Sequence, residues 1–265
     1  VPLILIFMRK YNETTVSRTA DFEDAIKAPI LGAVGGLRRY DGLVMRNTAE
    51  SASMATEMIR ALRSKVQHYL KADDSNRVVL VTSSKEGEGA TFVAANLAEA
   101  FAMQGKRTLL IDADLRHPHI AGLYNLDDKD GLLQYLDNTS TEPHIDTVTV
   151  AGARTLDVLT AGGSSPISAE LLGDDRFGEL MARLESEYDC IIIDSTPTLR
   201  YSDSFELARF AYLTLMTVRA GVTDGRDLQF INTLYQEGRL PRIAVVINGV
   251  KSAHSLTAST TQAPA

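Results

Sequence analysis

The chain has 265 residues, 45% of them hydrophobic, a formal net charge of −7 and a single cysteine, Cys190. That length supports one large α/β core with extensions. The acidic balance speaks against a nucleic-acid partner, because phosphate backbones reward clustered Lys and Arg; a lone cysteine excludes an internal disulfide and a Cys-rich zinc site, and fits a reducing cytoplasm.

The first eight residues, Val1 to Met8, are apolar and are closed by Arg9-Lys10. This run is far shorter than the roughly 20 residues of a membrane span, and it lacks the basic start and small-residue cleavage site of a signal peptide. It reads as the cytoplasmic end of a span that begins outside this sequence, or as a short interfacial anchor, with a buried strand or frayed terminus as the plain alternative. Tyr11 to Arg46 reads as a linker with one short docked segment at Pro29-Ile30-Leu31-Gly32-Ala33-Val34. From Ser51 to Leu70 a helix is expected, capped by Ser51 or Ser53, with Ile59, Leu62, Val66 and Tyr69 recurring at helical spacing.

After the polar break Asp73-Asp74-Ser75-Asn76, buried strands alternate with amphipathic helices, the pattern of a parallel sheet with crossover helices. The strands fall at Val78-Val81, Thr108-Ile111, Leu156-Leu159, Cys190-Ile193, Leu213-Val218 and Ile243-Ile247. The expected fold is therefore α/β, a P-loop-type parallel sheet flanked by helices on both faces. The division is residues 1–50 as membrane-proximal segment and linker, 51–250 as the domain, and 251–265 as a disordered Ser/Thr/Ala-rich tail.

The first strand runs into Ser84-Lys85-Glu86-Gly87-Glu88-Gly89-Ala90-Thr91-Phe92 and then a helix with Ala94, Leu97, Ala98 and Phe101 on its apolar face. A strand, a glycine-rich turn and a helix N-terminus make an anion site, since unpaired backbone N–H groups and the helix dipole point at it. Against the pattern G-x-x-x-x-G-K-[ST], Ser84 stands at the first glycine and Ala90 at the lysine, while Thr91 keeps the magnesium-binding hydroxyl. Alone the loop is weak, because Gly-x-Gly before a helix is a common structural device. Two further strands end in carboxylates: Asp112 and Asp114 on one, Asp194 on the other, at the sheet's carboxyl end where open α/β sheets bind ligands. A single such Asp is usually a cap or turn residue. Three beside a phosphate loop suit hydrated Mg²⁺.

With these motifs in view, the sequence resembles the bacterial tyrosine kinases of capsule and exopolysaccharide systems, relatives of the Min-type and ParA-type ATPases, over about Asp21 to Val250. The Asp112, Asp114 and Arg116 motif is similar to the family's Walker A′, and Asp194-Ser195-Thr196-Pro197 to its Walker B. Glu57, Arg60 and Arg63 match an E-x-x-R-x-x-R element that serves ring-like self-association in the family. Gly162-Gly163-Ser164-Ser165-Pro166, Glu170-Leu171-Leu172 and Ile247-Asn248-Gly249-Val250 are also similar to family segments, the last lying near the adenine in relatives. The apolar start, Asp21-Phe22-Glu23-Asp24 and Pro29 to Gly32 resemble the join between a polysaccharide co-polymerase's second span and its kinase.

The resemblance implies ATP/ADP and Mg²⁺ as ligands and assigns Lys85, Gly87, Glu88, Gly89, Ala90, Thr91, Phe92 and Asn248 to the nucleotide. It gives Thr91, Asp114 and Asp194 to the metal, and Asp112, Asp114 and Asp194 to catalysis, with Asp112 as candidate base. It implies a transmembrane polysaccharide co-polymerase (chain-length determinant) as partner, a homo-oligomer, no nucleic acid, and the cytoplasmic face of the bacterial inner membrane. Two departures stand out. Ala90 removes charge-assisted contacts to phosphate, and residues 251–265 lack the tyrosine cluster that such kinases phosphorylate. Tyr212 and Tyr235 read as packing residues. The leading expectation is a degenerate tyrosine-kinase-like subunit regulating polysaccharide polymerisation and export; the alternatives are an active autokinase of the same pathway and a ParA-like positioning ATPase. For the last, Lys85 sits where those relatives carry a lysine that reaches across a dimer.

Overall fold

The computed structural model describes residues 15–16, 19–35, 42–46, 54–70 and 77–250. The apolar start, the caps Ser51 and Ser53 and the tail 251–265 lie outside the described residues. No described helix is long and apolar enough to cross a membrane.

In chain order the described elements are α1 (Thr19–Ala25), β1 (Ile30–Gly35), a 3₁₀ turn (Val44–Arg46), α2 (Met54–Leu70), β2 (Val78–Ser83), α3 (Ala90–Ala102), β3 (Thr108–Asp112), α4 (Ile120–Tyr124), α5 (Leu132–Leu136), β4 (Asp146–Val150), β5 (Arg154–Leu159), α6 (Ser168–Gly173), α7 (Asp175–Glu187), β6 (Cys190–Asp194), α8 (Asp203–Ala208), β7 (Leu213–Arg219), α9 (Gly225–Gln236) and β8 (Ile243–Val250). The eight strands form one sheet in the order β1-β8-β7-β2-β6-β3-β5-β4. All neighbours are parallel except β4, which runs antiparallel to β5.

The six expected strands are present, each extended by one to three residues at one end. Two more were not expected. β1 takes up the segment read as docked within the linker, and it docks as a strand at the sheet edge beside β8, with Ile30 opposite Val245. β4 alternates between half-exposed and exposed positions until its last residue, as an edge strand does, and offers no apolar run to read.

Successive strand residues point to opposite faces, so each strand feeds two cores. Leu80, Ile111, Ile193 and Val245 join Phe177 and Leu180 of α7 and Ile231 of α9 on one face. Val79, Val81, Leu110, Ile192 and Val246 join Ile59 and Leu62 of α2 and Val93 and Leu97 of α3 on the other. Truncating any of these fully buried side chains to Ala is expected to cost about 2–5 kcal/mol. Tyr212 is buried as expected, whereas Tyr235 is 36% exposed and does not belong to the core. Helical spacing sets Tyr235 on the face of Leu228 and Ile231, and it is exposed as the last residue but one of α9. Cys190 is buried in β6, and burial pushes its thiol up to about 12, so it stays protonated.

Candidate nucleotide site

The sheet order puts β2 between β7 and β6, with β3 on the far side of β6. The carboxyl ends of these strands therefore form one rim. The loop leaving β2 turns at Gly87 (φ 82°) and Gly89 (φ 94°), both in the left-handed region that favours glycine. Ser84 is not in that region, so a serine at the first glycine position brings no backbone strain. Its hydroxyl instead lies 2.8 Å from a Glu88 carboxylate oxygen, to which the Lys85 N–H also donates at 2.9 Å. The Thr223 hydroxyl is hydrogen-bonded to the other Glu88 oxygen. Burial pushes the Glu88 carboxyl above its ordinary range, opposed by these hydrogen bonds. Glu88 thus braces the loop from behind, and the Asn248 amide holds its carbonyl at 2.9 Å. A Cβ at Gly89 would come within 2.1 Å of Asn248 Nδ2, so only glycine fits there.

Gly89 caps α3 without any side-chain acceptor for the helix's first N–H groups. Unpaired helix N-terminal donors are a ready anion site. They open on a cavity of about 650 Å³. Gly87, Gly89, Ala90, Thr91, Phe92, Asp114 and Asn248, all singled out from the sequence, line it. Lys85, Glu88, Asp112 and Asp194 do not. Arg219, His117 and His119 also line it and were not singled out. Their only sequence signal is position: Arg219 closes a buried strand, and the two histidines follow Asp114.

Asp112 and Asp194 are opposite one another in the β3–β6 ladder, and both are buried. Asp112 accepts from the N–H groups of Ile120 (2.9 Å) and His119 (3.2 Å), so it also caps α4. Burial, with the Asp114 charge adding to it, pushes its carboxyl up to about 7. Asp194 is raised well above the carboxylate range, first by burial and then by the neighbouring Asp112, while the Thr91 hydroxyl opposes this. Asp114 accepts from the N–H groups of His117 (2.9 Å) and Arg116 (3.1 Å). Arg116 turns away to a paired contact with buried Asp203, its Nε 3.1 and 3.2 Å from the two oxygens, and stacks on the Tyr201 ring.

Lys85, at the position where positioning ATPases carry a lysine that reaches across a dimer, is engaged within its own chain: its Nζ is 2.5 Å from Asp227 and 3.4 Å from Asp224 at the start of α9. Partial burial would lower its pKa, but the two carboxylates more than offset this and hold it above the ordinary value. In α2, Glu57 and Arg60 pair with each other on the exposed face. Arg63 instead donates to the Ala100 carbonyl in the last turn of α3 at 3.1 Å, where a cation suits the helix dipole. Asn96, also unread in the sequence, holds the entering chain. Its Oδ1 accepts the Val44 N–H at 2.8 Å and its Nδ2 donates to the Gly42 carbonyl at 2.9 Å. Glu99 pairs with Arg46 one turn further on.

No group of three or more His, Cys, Asp or Glu side chains suited to a metal occurs among the described residues. The set expected for Mg²⁺ is two carboxylates and the Thr91 hydroxyl, which suits an ion that keeps most of its waters. Asp194 Oδ1 is buried with no hydrogen-bond partner, an acceptor of the kind that a hydrated cation satisfies. The uncapped α3 N-terminus meets the same test for a phosphate.

A family profile described as an AAA domain matches residues 76–217. The tyrosine-protein kinase YwqD of Bacillus subtilis is 32% identical over 207 residues, 78% of this chain and 86% of that protein. The tyrosine-protein kinase wzc of Salmonella typhimurium is 28% identical over 240 residues, covering 91% of this chain. The chain spans 32% of the length of that Salmonella relative. The kinase domain of the Escherichia coli tyrosine kinase ETK superposes with a TM-score of 0.76 at 23% identity, covering 93% of this chain and all of that one, which is likeness of fold. With its phosphate-loop α/β sheet and this extent of matching, the chain belongs to the bacterial tyrosine-kinase family, within the AAA-domain ATPases.

Proposed function

We propose that this chain is a nucleotide-binding, tyrosine-kinase-like subunit with impaired phosphoryl transfer, regulating the polymerisation and export of an extracellular polysaccharide. It works at the cytoplasmic face of the inner membrane beside a transmembrane co-polymerase. The observation that carries this reading is Ala90: it occupies the first position of α3 and lines the cavity where the family's loop lysine would meet the phosphates.

The residues support binding better than turnover. The N–H groups at the start of α3 would cradle an anion, Thr91, Asp114 and Asp194 would hold a cation, and Asn248 fixes the loop against β8. Bound Mg²⁺ would supply charge neutralisation between the terminal phosphates. Asp112 is the candidate base of the second reading, an active autokinase, but its carboxylate is fully buried, engaged by backbone N–H groups and outside the cavity's lining. The positioning-ATPase reading loses its main support with Lys85 held by Asp224 and Asp227.

Calorimetric titration with ATP and Mg²⁺, for the natural chain and Ala90→Lys, tests the proposal. Restoring the lysine should tighten ATP by roughly 10- to 100-fold, two charge-assisted contacts discounted for side-chain ordering. Tighter binding without new hydrolysis fits a regulatory subunit, whereas rapid hydrolysis by the natural chain would sink it in favour of the autokinase. No binding by either protein would remove the nucleotide site.

A further inference from the structure

We infer that Arg219 supplies the phosphates of a bound nucleotide with the cation that position 90 lacks; this rests on the nucleotide reading above. Among the described residues, Arg219 is the only Lys or Arg that lines the cavity, whose acidic lining residues are Glu86 and Asp114. An anionic ligand entering beside two carboxylates needs compensating charge.

Two other cations stand near the loop. Lys85 is on Asp227 and Asp224, and Arg200 is 2.6 Å from Glu86. Neither lines the cavity. Arg219 is the last residue of β7, next to β2 in the sheet, so its side chain springs from the same rim as the phosphate loop. Its Nη1 donates to the Gly87 carbonyl at 2.8 Å, which sets the guanidinium at the loop's apex. Its backbone N–H donates to the Thr223 hydroxyl oxygen at 2.7 Å, and Thr223 in turn is bonded to Glu88 behind the loop. The base of the side chain and its tip are thus tied to one loop. A planar guanidinium offers several donors in a fork suited to phosphate oxygens, so it can keep a carbonyl and bind an anion together.

The test is calorimetric titration of the full chain with ATP, ADP and adenosine in the presence of Mg²⁺. Arg219→Gln should weaken ATP and ADP by roughly 10- to 100-fold and leave adenosine unchanged, because adenosine has no phosphate. Ala90→Lys placed in the same chain should restore most of the loss, the two cations serving one charge. An equal loss for ATP and adenosine, or no loss for either, overturns the inference. Should Arg219→Gln fail to fold, the natural chain decides: ATP affinity must fall with salt while adenosine affinity does not, and a flat ATP response is fatal. If the natural chain binds no ATP while Ala90→Lys does, the nucleotide reading stands and this inference falls. If neither binds, both fall.

Discussion

Asp112 and Asp194 end adjacent parallel strands as register partners, two buried carboxylates side by side where a single one is already costly to ionise. The Asp194 Oδ1 has no partner in the protein, while Asp112 is satisfied by backbone N–H groups. The pair stores a preference for protons, or for a cation in their place.

Stability should therefore depend on pH with a known sign. Asp112 has a folded pKa of about 7 against an unfolded value of 3.8, so the folded chain binds more protons between those limits. The stabilisation is complete below the unfolded value and is lost as the pH rises through about 7. Thermal melts without nucleotide should show a falling midpoint from pH 5.5 to pH 8, equivalent to about 2 kcal/mol. Asp112→Asn, which still caps α4 through its carbonyl oxygen, should flatten that dependence; an unchanged slope would mean that Asp112 is not the group responsible.

Glu88 tests the bracing of the loop. Replacing it with Ala leaves the Ser84 hydroxyl, the Lys85 N–H and the Thr223 hydroxyl without their shared acceptor. A loss of about 2–4 kcal/mol in denaturant unfolding is expected, and Gln should recover part of it. A change below about 0.5 kcal/mol would show that the loop stands without this carboxylate.

Asn96→Ala removes the clamp on the segment 42–46. Hydrogen exchange at the Val44 amide should quicken by at least about tenfold, with a global loss near 2 kcal/mol. Unaltered exchange would assign the hold on this segment to the Arg46–Glu99 pair and the Thr56 hydroxyl on the Val44 carbonyl.

Arg60 and Arg63 should separate. If α2 carries a self-association face, Arg60→Ala lowers the light-scattering mass with little effect on the melting midpoint. Arg63→Ala should also lower the midpoint, since its guanidinium holds the end of α3. Identical behaviour of the two variants would contradict the division seen between them.

What was legible in the sequence followed periodicity and charge. Apolar runs such as Ile191-Ile192-Ile193 can only be strands buried on both faces, and carboxylates at their ends mark the rim. β4 escaped because an edge strand with one polar side carries no run, and β1 because its six residues, two of them glycine, look like linker. The loop's geometry was legible at Gly87 and Gly89, whose types fix the backbone. It was not legible at Ser84, where a glycine-rich pattern suggested damage that the negative φ makes harmless. Arg219, Asn96 and Lys85 act through partners more than 50 residues away, and no local pattern encodes such pairings.

The adjacency of β1 and β8 bears on how the chain comes to be folded. Among the described residues β1 has β8 alone beside it in the sheet, a strand synthesised roughly 200 residues after it, so β1 waits for the last described strand. Until then it is an apolar segment without a ladder. The converse holds for any shortened chain beginning at residue 76, where the family match starts: β8 would become a bare edge, rich in Val and Ile, eight residues long. Such an edge invites pairing with other molecules. The folding unit thus extends beyond residues 76–217 that the family profile matches, and β1, which precedes that match, covers an edge that would otherwise be bare.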